Sequence, residues 1–254
     1  MNYGYVSLTG KVRDNDEDSV LVLSATTTSE GKSDGKFLGI VADGMGGGEY
    51  GEVASRIAVN TFRNILGPMV LRGKVRKSEL RDLMIRSFEG SNFEILQVAK
   101  KHDLYLMGTT VTSLFLSGSY ALIGNLGDSR TYVFDKDGNV KFKTKDHSYV
   151  QELVDSAKIT QEDARSYPRR NELTRSLGIE SECIPDFYEV EIEPGDSILL
   201  CCDGLWEAYS DEEMGKTITG NIPAQLLVDE IANSANLRDG SDNISLVLVK
   251  PQLY

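Results

Sequence analysis

Three apolar runs, each meeting an aspartate at one end, constrain this chain more than any other feature. Phe37-Leu38-Gly39-Ile40-Val41-Ala42 ends at Asp43 and passes into Gly44-Met45-Gly46. Ser197-Ile198-Leu199-Leu200-Cys201-Cys202 ends at Asp203-Gly204, and Asp242 stands directly before the run Asn243 to Val249. A short, unbroken apolar run bounded by turn residues reads as a buried strand. A carboxylate at the end of such a strand is badly solvated unless something positive meets it. With Glu17 and Asp18 near the N-terminus, the three strand-end acids point to an oxygen-ligand metal site.

The physics supports a cation. Two carboxylates about 4 Å apart repel by roughly 4 kcal/mol at an effective dielectric near ~20, so converging acids need protons or metal. Hard divalent ions such as Mg2+ and Mn2+ take carboxylate, carbonyl and water oxygens. The two histidines, His102 and His147, lack zinc spacing. The glycines after Asp43 and Asp203 are expected to permit unusual backbone angles and a close approach of the main chain to an ion. A metal pair about 3.5–4 Å apart can polarise a bridging water for in-line attack on phosphorus. Such a reaction also needs a cation on the phosphate. Arg13, in a charged loop between two strand-like runs, has the guanidinium that can grip two phosphate oxygens.

Composition narrows the partners. A net charge of −12 over 254 residues disfavours nucleic acid and anionic membranes as partners. The cysteines, Cys183, Cys201 and Cys202, read as small core hydrophobes in a reducing compartment. No basic-then-apolar leader opens the chain, and no apolar run approaches the roughly 18 residues of a membrane helix. A cytoplasmic location is expected.

Periodicity predicts strands over 3–8 and 20–24 and a polar loop from Thr26 to Lys36. Helices follow from Gly51 to Leu66 and from Ser78 to Lys101, with Ser78 as N-cap. Strands then run over 109–116, 119–126 and 130–135, with a tight turn at Asp137-Gly138. A polar, helix-flavoured stretch covers 147–180. Strands return near 186–192 and 197–202, two short helices fill 204–235, and a last strand covers 243–250. This order is not an alternating βαβ pattern; it argues for antiparallel sheets with helices outside them, an α+β fold.

Taken in order, the residues resemble a known family. Val12-Arg13 with Asp16-Glu17-Asp18, Asp43-Gly44-Met45-Gly46-Gly47, Gly108-Thr109-Thr110 and Gly124-Asn125-Leu126-Gly127-Asp128-Ser129-Arg130 lead the series. Asp146-His147-Ser148, Pro168-Arg169-Arg170-Asn171, Leu173-Thr174-Arg175 and Leu177-Gly178 follow, then Asp203-Gly204-Leu205-Trp206 and Ser241-Asp242-Asn243. Each motif alone is weak, and the ordered set is strong. The chain is similar to the type 2C metal-dependent protein phosphatases (the PPM family) in their compact bacterial form. The resemblance implies a sandwich of two antiparallel sheets flanked by helices on both faces, folded as one domain over 1–254 with a flap over about 149–184. It implies hydrolysis of phosphoserine and phosphothreonine in proteins by attack of a metal-activated water, with two Mg2+ or Mn2+ ions and a looser third. Asp43 is implied to bridge the metals, the Gly44 carbonyl to bind one, and Asp203 and Asp242 to bind the other. Glu17 and Asp18 are implied to hold metal-bound water, Arg13 to bind the substrate phosphate, and Asp128 with Glu207 to serve the third ion. The implied partners are phosphorylated proteins, a cognate serine/threonine kinase among them, for a monomer that reverses kinase signalling.

Three positions depart from the family pattern. Asp16 replaces the usual Asn. Met45 stands where some relatives carry a histidine able to act as general acid. Glu207 is one methylene longer than the usual Asp. Rival readings are weaker. The glycine run from Gly46 to Gly51 fits a dinucleotide fingerprint, but no second parallel strand follows. Asp14 to Asp18 imitates a calcium loop without its glycine and final Glu, and Val140 spoils the similar stretch from Asp135. Ser129 lacks a nearby His/Asp partner. His147 is expected to fix the base of the flap, and Trp206 to pack in the core. A non-catalytic scaffold on the same fold would have lost acids that are all present here. A dedicated regulator with a sensor domain would need length that this chain is not expected to spare.

Overall fold

The computed structural model describes residues 1–29, 32–46, 50–220 and 222–251. Gly47, Gly48 and Glu49, which complete the glycine run and the longer form of the Asp-Gly-Met-Gly motif, lie outside the described residues. Elements are numbered in chain order. One five-stranded sheet is ordered β1 (Asn2–Leu8), β12 (Ile244–Lys250), β11 (Ser197–Cys201), β8 (Arg130–Phe134) and β9 (Val140–Lys143). The other is ordered β10 (Asp186–Glu191), β7 (Tyr120–Leu126), β6 (Val111–Ser117), β3 (Lys32–Ala42) and β2 (Ser19–Ser29). A short ribbon joins β4 (Gly44–Gly46) to β5 (Met107–Thr109). Neighbouring strands pair antiparallel throughout.

The unbroken apolar runs are explained by three stacked apolar layers. In β3, Phe37 and Val41 point between the sheets, where they meet Leu200, Cys202 and Val247. Leu38, Ile40 and Ala42, on the other face, pack under α1 (Tyr50–Leu71) and α2 (Lys77–Lys101) with Phe62 and Phe88. In β11, Ile198 and Leu200 face the inter-sheet layer. Leu199 and Cys201 face α5 (Asp203–Trp206), α6 (Asp211–Ile218) and α7 (Ala224–Arg238). Strand side chains alternate in direction, so a strand buried on both faces shows no polar alternation. Each fully buried Leu, Ile or Phe contributes about 1.5–3 kcal/mol relative to exposure. The result is the four-layer arrangement, helices, sheet, sheet, helices, that the resemblance implies.

Several local expectations need correction. Thr26 to Lys36 is not a loop: β2 and β3 continue as an antiparallel ribbon, with Thr26 opposite Gly35 and Ala25 opposite Lys36. The β-branched threonines favour that extension although its outer end is polar. Ser78 lies inside the first turn of α2; the N-cap is Arg76, in extended conformation and without a side-chain cap bond. α1 runs past Gly67-Pro68 to Leu71, because Met69 and Val70 are buried against the core and hold the last turn. The region 204–235 carries three helices rather than two, the first being the single turn α5. Two short helices, α3 (Tyr149–Asp155) and α4 (Gln161–Arg165), lie in the polar stretch after β9. Among the described residues no helix is long and apolar enough to cross a membrane.

Candidate active site

Strand register gathers the acids at one end of the sandwich. Ser19 pairs with Ala42, so Asp18 and Asp43, the next residue on each strand, stand side by side. Cys201 pairs with Leu246, and the Cys202 amide donates to the Ser245 carbonyl at 3.0 Å. That register carries Asp203 to the start of β12, where Asp242 lies. Asp128 sits in the link between β7 and β8. Arg13, Glu17, Asp43, Gly44, Asp128, Asp203 and Asp242 line one cleft of about 480 Å3. Asp18 is buried behind it, with carboxylate oxygens of Asp18 and Asp43 and the Cys202 Sγ all within 4.8 Å of one another. Glu207 is not in this cleft. It lies in an adjoining cavity of about 500 Å3 that Asp128 also lines, and it pairs with Arg170 at 3.3 Å.

Main-chain geometry holds the clustered acids. The Asp43 carbonyl accepts bonds from the Thr110 amide and the Thr109 hydroxyl, both at 2.8 Å, and the Asp43 amide donates to Thr110 Oγ1 at 3.2 Å. Thr110 Oγ1 in turn shares a hydrogen bond with the buried Ser129 hydroxyl at 2.7 Å. Ser129 is therefore a brace for Thr110. Gly44 has no left-handed backbone angle. Its requirement is space: an added Cβ would lie 2.3 Å from the Gly51 carbonyl oxygen and 2.4 Å from that of Glu17. Gly204 likewise would meet the Asn243 carbonyl oxygen at 2.1 Å. The expected unusual backbone angles are absent, and close backbone approach is what excludes a side chain.

Asn243 ties the N-terminal loop to the site. Its Oδ1 accepts from the Glu17 amide at 2.9 Å, and its Nδ2 donates to the Thr9 and Asn15 carbonyls at 2.8 and 3.0 Å. Arg13, at the tip of that loop, donates to Asp242 Oδ2 at 2.7 Å and is half exposed at the cleft rim. Sequence reasoning quoted the Gly108-Thr109-Thr110 and Asp242-Asn243 motifs but assigned no role to Thr109, Thr110 or Asn243. Cys202 passed as core filling. Asn243 and Cys202 adjoin Asp242 and Asp203 in the sequence, whereas Thr109 and Thr110 meet Asp43 only through folding.

Residues 149–184 form a wall of the cleft through Asn171, Thr174, Arg175, Ile179 and Ile184. The Thr109 and Leu177 main chains exchange hydrogen bonds, and the Thr174 amide donates to the His147 carbonyl at 2.9 Å. His147 is buried, and its Nδ1 accepts from the Gly127 amide at 3.1 Å. The ring proton then sits on Nε2, 3.1 Å from Asp186. Burial lowers the His147 pKa against the pull of Asp186. This is the structural role expected for it. Trp206 is only partly buried; its Nε1 donates to the Asp128 carbonyl at 3.0 Å, and Arg130 stacks 3.6 Å over its ring. Arg130 grips Asp146 through two bonds of 2.8 and 2.6 Å behind Asp128.

The electrostatics test whether this site suits divalent cations. Burial, reinforced by the charges of Asp16 and Asp203, pushes Asp18 up to about 8. Burial and then Asp242 push Asp203 up to about 7. Asp43 and Asp128 are driven well above the ordinary carboxylate range, first by burial and then by neighbouring acids. Glu17 rises by burial, with Arg13 opposing. Both oxygens of Asp18 and Oδ1 of Asp203 are buried with no hydrogen-bond donor among the described residues. Crowded, orphaned carboxylate oxygens in a set of hard donors fit Mg2+ or Mn2+.

Comparison with known proteins agrees with this geometry. The protein phosphatase 2C family model matches residues 24–240. The serine/threonine phosphatase stp of Listeria innocua is 33% identical over 245 residues, which are 96% of this chain and 93% of that one. The solved serine/threonine phosphatase of S. agalactiae superposes with a TM-score of 0.85 at 30% identity, over 98% of this chain and 99% of the other. The catalytic domain of the serine/threonine protein phosphatase PstP, solved with two manganese ions, gives a TM-score of 0.78 at 30% identity, over 97% and 96% of the two chains.

Proposed function

The chain belongs to the protein phosphatase 2C family of metal-dependent serine/threonine protein phosphatases, and on that premise we propose that Asp43, the Gly44 carbonyl, Asp203 and Asp242 hold a pair of divalent cations, with Glu17 and Asp18 ordering their water. The observation that carries this reading is the convergence of buried, under-bonded carboxylates on one cleft that Arg13 and Arg175 also line. Bound there, such ions supply Lewis acidity that activates water and offsets the charge developing on a phosphoryl group. Either Mg2+ or Mn2+ suits the donor set.

The chain's own residues do the remaining work. Arg13 receives the phosphate dianion through two guanidinium N–H groups, and Asp242 orients it by the bond at 2.7 Å. Thr109 and Thr110 keep Asp43 in place while charge shifts around it. Met45 carries no proton to give, so the leaving alkoxide takes its proton from water or another group. Asp128 would hold a third, looser ion, and Glu207, which pairs with Arg170 in the adjoining cavity, would have to leave that pair to join it. Residues 149–184 act as a flap within one domain, and they select among phosphoproteins, with the cognate kinase among them. The working protein is a cytoplasmic monomer.

The test is hydrolysis of a phosphothreonine peptide with and without Mn2+. Turnover is expected only with metal. Asp43→Asn should lower kcat by at least about 10²-fold, the scale of losing one preorganised electrostatic contact. Arg13→Ala should chiefly raise KM. Full turnover in excess chelator would overturn the reading.

A further inference from the structure

We propose that Cys202, Asp18 and Asp43 form a sulfur-containing capture site for a thiophilic divalent ion of the zinc class, which competes with magnesium or manganese for Asp43. One sulfur and two carboxylate oxygens lie mutually within 4.8 Å. Two ligands at about 2.0–2.3 Å from one ion stand at most about 4.5 Å apart, so the three side chains would draw together slightly around a bound ion. Asp18 is nine-tenths buried, and neither of its oxygens has a hydrogen-bond donor among the described residues. Cys202 is fully buried and directed by its neighbours: its Sγ accepts from the Ser245 amide at 3.1 Å and its thiol donates to the Asn243 carbonyl at 3.4 Å. Burial and the neighbouring acids keep the metal-free Cys202 thiol protonated, so sulfur ligation requires the ion itself to displace the proton. The thiol proton leaves to solvent as the sulfur–metal bond forms.

Ligand softness sets the selectivity. Thiolate favours zinc, whereas carboxylate, carbonyl and water favour magnesium and manganese. The neighbouring cysteine does not contribute, because Cys201 points to the opposite face of its strand, into the layer under α5 to α7. Asp43 belongs to both sets, so the two occupancies exclude each other. That exclusion rests on the carboxylate assignment made above; the sulfur site does not.

The test uses the whole chain with Cys183→Ser, which removes the partly exposed thiol. Loaded anaerobically with Co2+ as a zinc surrogate, the protein should show a near-ultraviolet thiolate-to-cobalt charge-transfer band. Adding Cys202→Ser should abolish the band, and adding Cys201→Ser should leave it. Zinc-edge X-ray absorption on the unmutated chain should show sulfur at about 2.3 Å. Calorimetric zinc affinity should fall at least about tenfold in Cys202→Ser, the lower bound for losing even an indirect partner of a metal. Prior Mg2+ should weaken zinc binding. Absence of the band, its survival without Cys202, or a zinc shell of oxygen and nitrogen alone would overturn the proposal. Should Cys202→Ser fail to fold, the zinc-edge spectrum of the unmutated protein decides. Failure of the phosphatase reading would appear separately, as absent Mn2+-dependent turnover beside an intact cobalt band.

Discussion

Asp18 and Asp203 set the sign of this protein's response to pH. Both are held above the pKa of about 4 that an unfolded aspartate shows, at about 8 and about 7 respectively. Without metal, the folded chain therefore binds more protons than the unfolded chain between about pH 4 and pH 8, and its stability falls as pH rises through that window. The melting temperature in chelator is expected to drop between pH 5 and pH 8, and saturating Mn2+ should flatten or reverse the drop. Equal stability at both pH values in chelator would contradict the crowding. Glycine gives a second test at this scale. Gly44→Ala should cost about 1–3 kcal/mol by urea unfolding, since the new methyl meets two backbone carbonyls. Gly73→Ala, with nothing within 4 Å of the added carbon, should be neutral or slightly stabilising. The need for glycine at 44 was legible in the sequence, but its reason was not. Crowding by Gly51 and Glu17 depends on segments that meet only after folding.

Between elements, the contact with most leverage is the bond set of Asn243. One side chain holds three backbone groups of the loop that presents Arg13 and Glu17. Removing it leaves three backbone groups in part-buried surroundings without that partner, at up to roughly 1–3 kcal/mol each when no water replaces it. Asn243→Ala is expected to destabilise by about 2–4 kcal/mol on that scale. It should raise KM for a phosphopeptide more than it lowers kcat, because it acts through the position of Arg13. A fall in kcat at constant KM would argue that the loop serves the metal acids instead. Strand positions were largely readable, since the apolar run at 37–42 lies on β3 and that at 197–202 lies on β11 up to Cys201. Helix ends were less so: burial of Met69 and Val70 carries α1 through Pro68, and no local signal announces that. The hairpin of β2 and β3 was missed because its polar threonines and glycine resemble a loop until cross-strand pairing is known.

The whole molecule carries a formal charge of −12 while its substrates are anionic. Long-range repulsion should slow encounter at low salt, and screening sets in over about 10 Å near ~0.1 M salt. In the metal-saturated enzyme, kcat/KM for a phosphopeptide is expected to rise as salt increases from near zero. A steady fall would show that the local field of Arg13 and the cations governs capture. The same scale explains why the site sits where it does. Two sheets packed face to face bring the ends of β3 and β11 and the start of β12 to one edge, and the helices outside leave that edge open as a cleft.

The chain by itself determined the doubly buried strands, the acids at their ends and the order of motifs, because these are encoded in contiguous residues. Only the tertiary structure decided that Asp18 lies behind the cleft beside Cys202, that Glu207 is turned toward Arg170 in the adjoining cavity, and that Thr110 and Asn243 hold the acids in place. Those relations depend on the register between strands distant in sequence and on which side of a packed edge each side chain emerges. Neither quantity is a property of any single segment.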